Sequence, residues 1–273
     1  MRVETLGGGT PDTAVVGAIH GDEPCGARAI ERFLTEGPIG EIRRPVKLII
    51  ANERALAADE RFIEADLNRV FPGNPDSDIH EKRLAHALLR EIDGCVTLGF
   101  HATVSFDEPF GTLAHLTESK AEMMRALPLS RAADFTGVVE GRSVNIPDFV
   151  NVEAGYQGSA RAAENAYDCL VAYLQAMDVL PDTGAPTPTS TQLYRVYDTV
   201  EKEPSLDYRL YVENFEHVAS GEVYAESTDE THALQAEQEF WPVLMSSHGH
   251  SSLLGYKAKA VGEIGAAAAE MAE

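Results

Sequence analysis

Lysine is scarce in this chain. Six lysines (Lys47, Lys82, Lys120, Lys202, Lys257, Lys259) stand among 22 basic residues, against 44 aspartates and glutamates, for a formal net charge of −22 over 273 residues. So negative a field repels phosphate backbones and anionic lipid surfaces, which excludes nucleic acid and membranes as expected partners. Cysteine is rarer still. Cys25, Cys95 and Cys169 are too few and too scattered for a disulfide framework or a Cys-rich zinc site, and they are expected to be reduced core thiols. No apolar run approaches the roughly 20 residues of a membrane-spanning helix. The start, MRVETLGGGTPDTAVVGAIHG, lacks the basic region and apolar stretch of a secretory signal, so a cytoplasmic location is expected. A G-x-S-x-G elbow, a Walker lysine motif and a G-x-G-x-x-G after a strand are also missing. The acid excess is spread along the chain instead of gathered in a tail, a pattern that fits a salt-adapted surface whose self-repulsion is screened by counterions.

What is present is an alternation. Short apolar runs at Thr13 to Ile19, Val46 to Ala51, Cys95 to Phe100 and Phe149 to Val152 read as strands. Pro24 to Leu34, Ile79 to Ile92 and Ser159 to Met177 read as the helices between them, which makes the first two thirds an α/β sheet. PDTGAPTPTS, residues 181–190, can continue neither helix nor central strand and marks a boundary. Beyond it QLYRVYDTV, YRLYVENF, GEVYAES and FWPVLMS have β character. The expected organisation is an α/β domain over 1–180 and a smaller β-rich domain over 190–273. The final KAKAVGEIGAAAAEMAE reads as a frayed helix or a disordered tail.

The residues suited to chemistry sit where strands run out. His20 and Glu23, in AIHGDEP, are three apart at a strand-to-helix turn and can converge on one cation. Alone the pair reads equally as a turn histidine beside a helix-capping acid. His101, in LGFHAT, ends a second apolar strand, and with it two imidazoles and a carboxylate make a zinc set that leaves a position for water. Glu153, in VNVEAGYQG, is delivered by another strand into a glycine-bearing turn, where a desolvated carboxylate can act as a base. Arg54, in NER, and Arg69, in DLNRVFPG, lie in loop-like sequence, where guanidinium groups can grip a carboxylate or stabilise an oxyanion; surface salt bridges are the bland alternative. His248 and His250, in HGH, read as exposed loop histidines.

In their order, GAIHGDEPCG, NERAL, DLNRVFPG, LGFHAT and VEAGYQG resemble the succinylglutamate desuccinylase/aspartoacylase family over about the first 160 residues. The resemblance implies a zinc-carboxypeptidase-like fold, with a mixed central sheet flanked by helices and a smaller β-rich C-terminal domain. It implies one Zn2+ per chain on His20, Glu23 and His101, and Glu153 and Arg54 as catalytic residues. Substrate contacts would come from Asn68, Arg69 and Arg142, with His250 or Tyr256 in the place of a C-terminal tyrosine. The implied activity is hydrolysis of the amide bond of a small N-acyl amino acid. A metallocarboxypeptidase acting on peptides is the alternative within enzymes, and a non-catalytic metal-binding module the alternative outside them. The sequence leaves open both homo-oligomerisation and the identity of the acyl group.

Overall fold

The architecture is that of a computed structural model, which describes residues 1–183, 190–203, 205–249 and 252–271. The apolar runs become strands because side chains cover both of their faces. Every residue of β2 (Thr13–Gly17) is buried, with β1 (Arg2–Leu6) preceding it and α1 (Cys25–Glu36) following. Then come β3 (Val46–Ile50), α2 (Glu53–Ala58), α3 (His80–Glu91) and β4 (Val96–Thr103). β5 (Phe110–Leu113), α4 (Glu118–Ala126), β6 (Arg131–Asp134), β7 (Phe149–Tyr156) and α5 (Ala160–Ala176) follow. The C-terminal part contributes β8 (Gln192–Glu201), β9 (Tyr208–Leu210), β10 (Val223–Ser227), β11 (Ala233–Gln235), β12 (Trp241–Val243), β13 (Leu253–Glu263) and α6 (Ile264–Met271).

Ten strands form one mixed sheet in the order β1-β3-β2-β4-β7-β5-β6-β8-β13-β12, and β11-β10-β9 form a small antiparallel sheet. β3, β2, β4 and β7 run parallel, so their carboxyl ends share one edge. One face of the sheet packs on α1, α4, α5 and α6 through Val15, Phe33, Phe100, Leu170 and Ile264. The other packs on α3 through Val16, Ile49, Leu84 and Leu88. All three cysteines are buried free thiols. No helix among the described residues is long and apolar enough to cross a membrane.

Two features depart from the sequence reading. The first part of the expected tail, residues 257–263, belongs to the strand Leu253–Glu263, and the helix starts only at Ile264. The reason is that β13 lies between β8 and β12 and pairs with both, which neighbours along the chain do not reveal. The proline-rich segment lies largely outside the described residues, at 184–189, but the chain on its far side rejoins the main sheet, where β8 pairs in parallel with β6.

Candidate active site

The parallel order of β2, β4 and β7 brings their ends side by side. His20 follows β2, His101 lies in β4, and Glu153 is the direct register partner of His101 on β7. The turn carrying His20 and Glu23 is held close to the sheet by glycine. A Cβ on Gly26 would stand 2.5 Å from the Cβ of Phe100, and one on Gly21 only 2.1 Å from the backbone of Ala55. Any larger residue at either position pushes the turn away.

Glu23 is the hub. His20 Nδ1 faces its Oε1 at 2.8 Å and His101 Nδ1 its Oε2 at 2.8 Å. The Arg61 guanidinium donates to Oε1 at 3.0 Å and the Ala102 N–H to Oε2 at 3.2 Å. All three of His20, Glu23 and His101 are buried, and their candidate ligand atoms lie within 4.8 Å of one another. Asp66 Oδ1 stands 3.0 Å from His20 Nε2, which leaves Nδ1 aimed at the cluster. His101 Nε2 is buried without a hydrogen-bond partner among the described residues. Two imidazole nitrogens and a carboxylate converging in this way, one ring braced from behind by a second carboxylate, are the chemistry of a zinc donor set, and the residues fit the metal.

The electrostatics divide the carboxylates. Burial would raise the Glu23 carboxyl, but His20 and His101 hold it well below its ordinary value. Burial likewise opposes ionisation of Asp66, and His20, Arg61 and Arg69 reverse that. Glu153 goes the other way: burial and the neighbouring Glu23 carboxylate push it up to about 8, against the pull of His20, Arg61 and Arg142. The histidines differ too. Burial lowers His101 below the usual imidazole value, whereas at His20 the carboxylates of Glu23 and Asp66 outweigh burial and raise it. A low-pKa acid beside a high-pKa one is the separation an acid–base site needs.

These residues line a cleft of about 550 Å³ together with Asn68, Arg69, Arg142, Ser246 and Tyr256. The Arg142 guanidinium donates to Tyr256 Oη at 3.0 Å, and Asn68 Oδ1 accepts the Ser143 N–H at 2.7 Å. Burial and the like charge of Arg142 depress the pKa of Arg69, and both guanidinium groups line the cleft, where an anion would relieve their repulsion. Arg54 is placed elsewhere. It is exposed on α2 and does not line the cleft, because the next residue, Ala55, is the one turned inward against Gly21. The guanidinium at the cluster is that of Arg61, which sequence reading passed over. Its signal was its place in RFIEADLNR, in the same loop as Asp66. Of the two residues considered for the C-terminal position, Tyr256 lines the cleft and His250 lies outside the described residues.

Residues 9–107 match the succinylglutamate desuccinylase/aspartoacylase catalytic domain model. A succinylglutamate desuccinylase of Vibrio cholerae serotype O1 is 23% identical across 93% of this chain and 79% of that enzyme. A rat N-acyl-aromatic-L-amino acid amidohydrolase (carboxylate-forming) is 43% identical over 61 residues, which make up 21% of this chain and 18% of that enzyme. Among solved structures, the product-bound ectoine utilization protein EutE (DoeB) of Ruegeria pomeroyi shares the fold. Its TM-score is 0.73 at 20% identity, covering 96% of this chain and 88% of that one. Residues 9–107 thus resemble that family's catalytic domain, and the chain as a whole shares the fold of the solved structure.

Proposed function

We propose that this protein is a zinc-dependent amidohydrolase that cleaves the linear amide C–N bond of an N-acyl amino acid. The observation that carries the proposal is the pairing of Glu153, with its raised pKa, beside the His20–Glu23–His101 donor set in a cleft that also holds three guanidinium groups. Zinc on His20, Glu23 and His101, one ion per chain, would supply Lewis acidity toward the amide carbonyl and a water that ionises near neutral pH. Glu153 takes the water's proton as the water attacks and returns it to the leaving amine. Arg61, already fixed to Glu23, faces the negative charge that develops on the carbonyl oxygen, the role first expected of Arg54. Arg69 and Arg142, with Asn68 and Tyr256, hold the carboxylate of the amino-acid product half.

The cleft volume suits a molecule of this size. In this reading residues 1–180 carry the hydrolytic groups, while 190–273 wall the cleft with Ser246 and Tyr256. The relatives named above act, by their names, on succinylglutamate and on N-acyl aromatic amino acids, and we read this chain as a cytoplasmic, salt-adapted enzyme of the same chemical class. The test is a screen of the zinc-loaded protein against N-acetyl, N-succinyl and N-formyl amino acids for release of free amine. Turnover of at least one series is expected. Hydrolysis of peptides with none of these would replace the proposal with a carboxypeptidase.

A further inference from the structure

Glu81 is fully buried on α3 and takes no part in the chemistry above. Its carboxylate accepts from three successive backbone N–H groups: Ile63 to Oε1 at 2.8 Å, and Glu64 and Ala65 to Oε2 at 3.1 Å each. Asn52 Nδ2 donates to Oε1 at 3.3 Å. The gathered N–H groups belong to one loop, and both ends of that loop are cleft residues. Arg61 lies two residues before Ile63, and Asp66 directly follows Ala65. We propose that Glu81 is a positioning residue, whose carboxylate fixes the 61–66 loop so that Arg61 and Asp66 stand against Glu23 and His20.

Four further observations favour this over a purely local helix contact. The clamp is reciprocal, since the Glu64 carboxylate accepts the His80 N–H at the start of α3. Asn52 extends it to the metal turn: its Oδ1 caps α2 through the Ala55 N–H at 3.3 Å, and its own N–H donates to Ala18 O at 2.9 Å, two residues before His20. The loop is tied to the same turn from its other end, where Arg61 O accepts the Gly21 N–H at 3.2 Å. The group is also held as an anion. Burial would raise its pKa, but the donors from Ile63, Asn52 and Ala65, added to its place in the first turn of α3, keep it below the ordinary value. One carboxylate therefore sets the separation of the two segments that carry His20, Glu23, Arg61 and Asp66.

This inference rests on the proposed activity for its kinetic arm only. Glu81→Gln leaves one acceptor oxygen and turns an NH2 toward backbone donors. The expected result is a fall in kcat of about tenfold or more with KM changed by less than about threefold, because a displaced Arg61 loses interactions made in the transition state. In an Arg61→Ala background, assayed at saturating zinc so that the Asp66 arm does not enter the rate, the same change should alter kcat by less than about twofold, since the guanidinium through which Glu81 acts on kcat is gone. Independently of turnover, amide hydrogen exchange should rise at residues 63–65 while β2 and β4 keep their protection. Zinc affinity, read by competition with a chelating dye, should weaken about tenfold through Asp66 and His20. Equal losses of kcat in both backgrounds, or unchanged exchange and zinc affinity, would overturn the proposal. Should Glu81→Gln fail to fold, Glu81→Asp, which keeps the anion but withdraws its oxygens by one methylene, is put through the same measurements. If the wild-type protein hydrolyses no N-acyl amino acid, the activity proposal falls, and exchange and zinc affinity decide on Glu81 alone.

Discussion

Glu23 and Glu153 are both acids in one cleft, and their environments drive them apart. Glu23 is surrounded by two imidazoles and a guanidinium, Glu153 by buried surface and the Glu23 charge. Replacing Glu153 with Gln should leave zinc bound, as measured by metal content, while hydrolysis falls by about 10²- to 10⁴-fold, the range for removal of a general base. The zinc-free protein offers a second check. A carboxyl whose pKa rises to about 8 on folding keeps its proton over a range in which the unfolded chain has lost it, so it lowers stability progressively from about pH 4.5 to about pH 8. Zinc-free Glu153→Gln should therefore be more stable than the zinc-free wild type at pH 8, and the difference in Tm should shrink toward pH 5. A difference independent of pH would remove the shift. The arginines separate just as cleanly: Arg61→Ala should lower kcat by about 10²-fold or more, the scale of a lost oxyanion donor. Arg54→Ala, at an exposed helix position, should keep near-wild-type kcat and KM.

At the scale of elements, the site depends on three parallel strand ends and one turn pressed against α2. The pressure point is Gly21, where an added Cβ would meet the backbone of Ala55 and could not be relieved by a side-chain rotation. Gly21→Ala should destabilise the protein by about 1–3 kcal/mol in denaturant unfolding and weaken zinc binding, because the turn that swings away carries His20 and Glu23. The central strands were legible because both of their faces are covered and their sequences are apolar but for one residue each, Thr13 in TAVVG and Lys47 in VKLII. α1, α3 and α5 were legible from amphipathic spacing and came within two residues at each end. β5, β6 and α4 were not, since four-residue strands such as RAAD have too few positions for a period to show. β13 was misread because its Ala- and Lys-containing stretch favours a helix locally and is overruled by pairing on both sides.

At the scale of the whole molecule, a net charge of −22 surrounds a cleft that contains Arg61, Arg69 and Arg142. Self-repulsion of the carboxylates works against the compact state and is screened as ionic strength rises, the Debye length shrinking from about 10 Å at 0.1 M to about 3 Å at 1 M. Tm should rise between about 0.1 M and about 2 M potassium chloride, measured by calorimetry. A flat or falling Tm would remove the salt-adapted reading. At the shared carboxyl edge of β2, β4 and β7, side chains from both parts of the chain meet, Arg142 reaching Tyr256 at 3.0 Å.

By itself the sequence determined the alternation that makes the sheet, and it set His20, Glu23, His101 and Glu153 at the ends of apolar runs, because strand ends and the turns after them are written in local composition. Which arginine reaches the His20–Glu23–His101 cluster was decided only by the tertiary structure. Arg54 and Arg61 are seven residues apart and look alike along the chain. Inward packing of Ala55 turns one out to solvent, and a loop held by Glu81, from a helix that starts after residue 79, carries the other to Glu23. Contacts between segments so far apart in sequence leave no periodic trace in it, and they set the geometry on which the proposed chemistry depends.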